Sequence, residues 1–493
     1  MRKIIILATC VVALLCIPVI PLGDVTEDTV IPRTIESTPA QFGPIVITSN
    51  SEMINAGLDG AGTLEDPYRI YSFYIPTDGT HGIWVSNVDL YFRIWDCTIS
   101  GSPHLGIGIR NCQFVNISDC AVTGAEYGIS IVDSPIAFVE DCQVTVVDDG
   151  IGLTLDNVLL ATISGCTFSG GETGSEVIDS IVFFDGNSFI ENNNGILGEP
   201  ITNCFITSNS FENCTSYGIR FEDYSRACTI VGNTFSGFYT GGILLRYSEN
   251  MSIVGNNFTH CGLTVIGVGI ADYDHYVEGN LVNLKPLLYL IGTDDVHYSG
   301  DDYGQIYLVD CNHITITGGL ITSTQRGVFT AYSTECVVQD MMITACQAGV
   351  TLGHSRYITI RNCTIRSCST GVLFWGNSEN NSLTYNQISY SFNQGILINP
   401  DSRWNFFVNN SFHHNDDGLL DNGSENDWDD GEQFGNFYDD YSGYGNYTIP
   451  GTANSVDNYP DRYVPTSSGG IQTPVEVTLI VGLGIMATGV IIV

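Results

Sequence analysis

The feature that most constrains this chain is a repeat. A Gly followed by an apolar residue returns every 22 to 24 positions, as at Gly82, Gly106, Gly128, Gly150, Gly195, Gly218 and Gly242, and again at Gly327, Gly349, Gly371, Gly395 and Gly418. The doubled interval after Gly150 holds a degenerate copy around Gly174, and the longer gap after Gly242 holds an insertion at about residues 262–305. Within one copy, GVTLGHSRYITIRNCTIRSC at 349–368, the apolar positions alternate as Val350 and Leu352, Ile358 and Ile360, then Cys363 and Ile365. That is the period of strands, three short ones per copy. One such coil cannot bury its apolar face, so coils must stack, and the expected fold is all-β: a right-handed parallel β-helix of about fifteen coils. At ~4.8 Å per strand layer the stack is on the order of 70 Å long.

The closing position of each coil forms a column: Cys97, Cys120, Cys142, Cys166, Asn187, Asn209, Asn233, Asn256, Met341, Cys363, Asn386 and Asn410. An inward Asn amide can satisfy turn backbone and its neighbours in adjacent coils, and a Cys is small enough to be buried. Cys204, Cys228 and Cys336 mark a second column, and Cys346 and Cys368 a third. No C-x-x-C spacing occurs, so these cysteines read as structural and not as a metal or redox site.

The acidic excess is large, 54 acidic against 16 basic residues for a net charge of -38, which excludes nucleic acid and anionic lipid surfaces as partners. Residues 1–23 place Arg2 and Lys3 before an apolar run, the pattern of an export signal. Residues 24–43 are Thr/Pro/Glu-rich and expected to be mobile, 44–80 form an N-terminal cap, 81–420 the solenoid, and 421–464 an acidic, aromatic C-terminal cap. After a spacer at 465–476, Val477 to Val493 is apolar throughout. Seventeen helical residues reach about 26 Å, so this is expected to be one transmembrane helix anchoring the protein to the cell membrane from outside. Nine N-x-S/T sequons agree with export.

Several runs carry a family resemblance. Gly60 to Ile70 reads G-x-G-T-x-x-D-P-Y-x-I, NLVNLKPLLYLIG at 280–292 precedes GQIYLVDC, and WDDGEQFGNFYDDYSGYG at 428–445 precedes VDNYP at 456–460. Together these resemble the NosD-like right-handed β-helix repeat family, a group of carbohydrate-binding proteins and sugar hydrolases, over about residues 44 to 463. Leu284 stands where that family has Gly, and Phe437 and Tyr438 stand where it has Tyr-Trp.

Three constellations are candidates for chemistry. Asp427, Asp429, Asp430, Asp439 and Asp440 could supply oxygen ligands to Ca²⁺, the plainer reading being a cap that faces acids to water and plugs the core with Trp428, Phe434, Phe437 and Tyr441. The acid pairs Asp148–Asp149, Glu222–Asp223 and Asp301–Asp302 are the residue type of a hydrolase, or plain turn residues. Arg220 and Arg246 follow consecutive coil openers beside Glu222 and could make a groove for a sugar acid, or a surface ion pair. The expected function is an exported, membrane-anchored, non-catalytic surface protein, structural or interacting with a polysaccharide or cell-surface glycan. The alternatives are a polysaccharide lyase or hydrolase on the same fold and, implied by the resemblance alone, an accessory in extracytoplasmic copper-site assembly.

Overall fold

The structure, a computed structural model, describes residues 40–41 and 43–462 apart from 78, 80, 102, 238 and 239. The export signal, the spacer and the membrane helix expected at 477–493 lie outside the described residues. Among the described residues no helix is long and apolar enough to cross a membrane.

The chain winds into a parallel β-solenoid of the right-handed type with about sixteen turns. Each turn gives one strand to each of three sheets. In the first sheet His81–Ser86 pairs in parallel with Leu105–Arg110, and the pairing continues in register coil after coil to Leu263–Ile266. The repeated glycine has a steric cause. A Cβ on Gly82, Gly128, Gly174 or Gly195 would lie 2.4 to 2.7 Å from the glycine carbonyl oxygen of the next coil, so only a bare backbone fits this corner. In the coil expected to open on Gly150 the residue in this column is Gly152, because the strand Gln143–Asp156 carries a register shift before it.

Inward side chains pile in columns. Phe168, Phe189, Phe211, Phe235 and Phe258 stack with centroids 4.8 to 5.4 Å apart, the offset packing that aromatic rings prefer. The expected amide ladder is present and runs further than the sequence column: each Oδ1 of Asn209, Asn233, Asn256 and Asn280 accepts from both the N–H and the Nδ2 of the rung before it at 2.8 to 3.0 Å. All fourteen described cysteines are free and buried. Twelve of these thiols donate to carbonyls two residues back, as Cys166 does to Ser164 at 3.3 Å. Burial pushes the Cys112 and Cys214 thiols up to about 11 and about 12, which keeps them protonated and unreactive.

The stretch at 262–305 is built from ordinary strands. Leu263–Ile266, Tyr276–Glu278 and Leu281–Val282 complete one more coil. The chain then reverses through Asn283 and Leu284, both left-handed at φ 51 and 68, into the antiparallel strand Lys285–Ile291. That strand founds a second stack, with Gln305–Val309, Arg326–Ala331, Ala348–Gly353 and Thr370–Trp375 following in parallel. An edge strand exposes unpaired peptide groups; here the last edge of the first stack meets the Gln305 side chain, whose Oε1 accepts from Leu263 N–H at 3.0 Å while its Nε2 donates to Leu263 O at 2.8 Å.

The ends are closed. The helix Asn50–Asn55, capped by the Ser49 hydroxyl, buries Met53 over the first coil. At the other end Trp428 stacks on Phe407 at 4.3 Å. Two Asn ladders finish there on buried carboxylates: Asn386–Asn410–Asn436 on Asp457, and Asn381–Asn405–Asn426 on Asp421.

Candidate functional site

The outer face of the first sheet presents rows of side chains at strand-layer spacing. One row runs Trp84, Gly108, Ser130, Thr154, Glu176, Leu197, Arg220 and Leu244. Because Gly108 has no side chain, the Trp84 indole lies down over it, with Cζ3 only 2.9 Å from where a Cβ would stand. The indole N–H is held by Ser86 Oγ at 3.2 Å. One face of the ring is therefore against the sheet and its orientation is fixed.

Beside it opens a depression of about 720 Å³ lined by Trp84, Ser86, Asn87, Arg110, Asn111, Asp133 and Asn157. Asn87, Asn111, Asp133 and Asn157 occupy one corner on four successive coils, all left-handed with φ of 51 to 55, a conformation that Asn and Asp tolerate better than other side chains. They are linked in pairs, Asn111 Nδ2 to Asn87 Oδ1 at 2.9 Å and Asn157 Nδ2 to Asp133 Oδ1 at 3.0 Å, and Arg110 lies 3.5 Å from Asp133. The remaining amide groups of Asn87, Asn111 and Asn157 are exposed. A fixed aromatic plate next to a row of amides suits a ligand with an apolar face and many hydroxyls. The 22- to 24-residue spacing of these corner residues is present in the sequence, but three amides and a single acid form no titratable cluster that would mark it as a site.

Farther along the face, Glu222 is nearly buried and takes Arg220 at 2.8 Å and Arg246 at 3.5 Å. Glu176 is half-buried, and its carboxyl is pushed up first by burial and then by Glu199 and Asp156. The other acid pairs are not brought together: Asp148 and Asp149 are exposed on the strand Gln143–Asp156, and Asp301 and Asp302 are exposed in the 3-10 turn Gly300–Asp302.

Four of the five aspartates of the C-terminal cap have separate partners. Asp430 Oδ1 accepts from the N–H groups of Glu432, Gln433 and Phe434, which hold its carboxyl below the usual range. Asp429 accepts from Gly431 N–H and from both nitrogens of Asn458. Asp439 accepts from His414 N–H, Asp440 from the Tyr447 hydroxyl, and Asp427 is exposed. Trp428 is buried, whereas Phe434 is exposed, and Phe437 and Tyr441 are partly so. Among the described residues no three His, Cys, Asp or Glu side chains are grouped to hold a metal ion.

The sequence profile of the NosD family, described as "Periplasmic copper-binding protein (NosD)", matches residues 69–261 and 290–443. No curated protein matches. Among solved structures, the A-module of the Azotobacter vinelandii mannuronan C-5 epimerase AlgE6 aligns at 12% identity over 77% of this chain and 91% of its own, with a TM-score of 0.24. The AlgE4 A-module aligns at 14% identity over 76% and 92%, with a TM-score of 0.22. Likeness of this degree carries nothing further to the chain. The family description raises copper, and the donors present do not fit it. Soft Cu(I) wants thiolate, thioether and imidazole gathered together, whereas here twelve of the described thiols are spent as core donors to backbone carbonyls, as at Cys142, Cys166 and Cys363.

Proposed function

The chain belongs to the NosD family, and from that premise and the geometry of its first sheet we propose that it is an extracytoplasmic β-helix that holds a polysaccharide along the outer face of that sheet, without catalysis. The observation that carries this reading is the Trp84 indole laid flat over Gly108 beside the corner row Asn87, Asn111, Asp133 and Asn157. Sugar rings offer an apolar C–H face to such a plate and hydroxyls to such amides. The family's periplasmic description and the apolar segments at 4–20 and 477–493 support an exported, membrane-tethered address.

The test is binding of polysaccharides to the purified full chain by affinity electrophoresis and calorimetry. Trp84→Ala should weaken binding by about tenfold or more, the usual cost of truncating an aromatic anchor, with the melting curve unchanged because the ring lies outside the core. Equal binding by the wild type and Trp84→Ala removes the reading. A hydrolytic alternative has one observation in its favour, the raised Glu176 carboxyl on the same face, since a general acid must stay protonated near neutral pH. Release of reducing ends by the wild type, lost in Glu176→Gln, would select that alternative.

A further inference from the structure

Three of the 16 basic residues of a chain with net charge -38 lie around Tyr217 where the two stacks join. Arg220 and Arg246 stand on adjacent coils of the first sheet and share the one nearly buried carboxylate of Glu222. Arg326 comes from the second stack, at the start of the strand Arg326–Ala331. Its neighbour Gln325 donates to the Thr240 carbonyl and packs against Gly241, on which the Tyr217 ring also packs. Tyr217, half-buried beside Gly241 and Gln325, lies in the combined field of Arg326, Arg220, Arg246 and Glu222.

The charges at this junction do not balance. Arg326 donates from Nη1 to Thr351 Oγ1 at 2.9 Å and lies over the Phe329 ring at 5.2 Å, neither of which is an anion. Arg246 Nε is buried with no hydrogen-bond partner, an arrangement that costs stability unless something accepts from it. Two guanidinium groups thus share one carboxylate while Arg326 has no anion among these partners, and the side chains of Arg220 and Arg246 remain 32% and 42% exposed, within reach of solvent. Guanidinium forks match the planar oxyanions of carboxylates and related esters. Six strand layers separate Trp84 from Arg220 along one row, about 29 Å at ~4.8 Å per layer, so both places lie under one extended chain.

We propose that the junction of Arg220, Arg246 and Arg326 binds the oxyanion of an acidic sugar, so that the polysaccharide held on the first sheet is an anionic one. This deepens the glycan reading above and rests on it. The acid distribution along the rest of the face accounts for one localised anion site: Asp156, Glu176 and Glu199 on the intervening coils oppose a continuous anionic track.

Calorimetric titration of the full chain separates the two readings. The ligands are a long oligogalacturonate, a sulfated galactan oligomer and the carboxyl-reduced, neutral counterpart of the first, against the wild type, Trp84→Ala, Arg246→Gln and Arg326→Gln, each checked for folding by its melting curve. One anionic oligomer should bind at least about tenfold tighter than the neutral one, the size of a charge-assisted contact, and the oligomer that does so identifies carboxylate or sulfate as the group recognised. Arg246→Gln and Arg326→Gln should abolish that preference and leave neutral binding intact, and added salt should weaken only the anionic complex. Neutral and anionic oligomers binding alike through Trp84, or a preference insensitive to both arginine variants, overturns the anion site and leaves the glycan reading standing. No binding of any oligomer, with Trp84→Ala indistinguishable from the wild type, overturns both.

Discussion

Replacing Asn233 by Asp changes one NH₂ group to oxygen at constant shape, in the middle of the first amide ladder. Asn233 is 1% exposed. Its Nδ2 donates to Ile206 O at 2.9 Å, Val231 O at 3.2 Å and Asn256 Oδ1 at 3.0 Å. A carboxylate there would face three oxygens with no cation near, so the new group must be protonated in the folded state. Lifting an Asp pKa from ~3.9 to 7 or above costs about 4 kcal/mol at pH 7. The single remaining O–H cannot serve all three acceptors, which adds ~1–3 kcal/mol. The sign is fixed by the raised folded-state pKa: the penalty is smallest below pH 4 and grows as pH rises toward 7. Denaturant midpoints of Asn233→Asp and of the exposed neighbour Thr234→Asp at pH 4 and pH 7 measure it. The first variant should lose about 5 kcal/mol at pH 7 and regain most of it at pH 4, while the second barely moves; equal midpoints for the two at pH 7 would refute the ladder as a source of stability.

Two other outcomes follow from the same architecture. His275 is buried with Nδ1 accepting from Met251 N–H at 3.4 Å, and burial pushes its pKa down to about 4; stability should therefore hold above pH 6.5 and fall by ~1.4 kcal/mol per pH unit as pH drops toward 4, a loss that His275→Asn, which keeps an acceptor in that column, should remove in pH-dependent melts. Ending the chain after Pro465 should leave a folded solenoid that no longer sediments with membranes in fractionated cells; continued membrane association would place the tether elsewhere than 477–493.

The solenoid was legible because strand alternation and the Asn and Cys column are local patterns repeated at a fixed interval, so each coil confirmed the last. Asn280 and Asn436 extend that column but stand 18 positions after Gly262 and Gly418, where most other coils close 14 to 16 after their glycine, and Asp457 ends it with a different side chain. The junction was not legible: Gln305 bonding to the Leu263 edge, and Arg326 joining Arg220 and Arg246, result from how two stacks meet, and no periodicity records such an offset. The Trp84 site lay between these cases. Its corner asparagines obey the repeat, but Trp84 needs Gly108 beside it to lie flat, a relation across coils that appears only once the register is known. The cap aspartates are clustered in sequence, and the fold gives Asp429, Asp430, Asp439 and Asp440 donors of their own, an arrangement that depends on how the cap loop folds back and that no periodicity records.

The amide ladders point one way: every rung receives from the coil before and gives to the coil after. Like peptide units in a helix, aligned amides sum to a polarised column with its positive end toward the C-terminus, which is where Asp457 and Asp421 sit. Those two carboxylates act as counter-charges to the dipoles of the ladders they end, Asn386–Asn410–Asn436 and Asn381–Asn405–Asn426, and they accept without having to donate onward. A whole coil gained or lost beneath them changes neither the polarity nor its terminus. The molecule's length is thereby uncoupled from the chemistry of its end, and the length of its outer face is set by how many times one sentence of 22 to 24 residues is repeated.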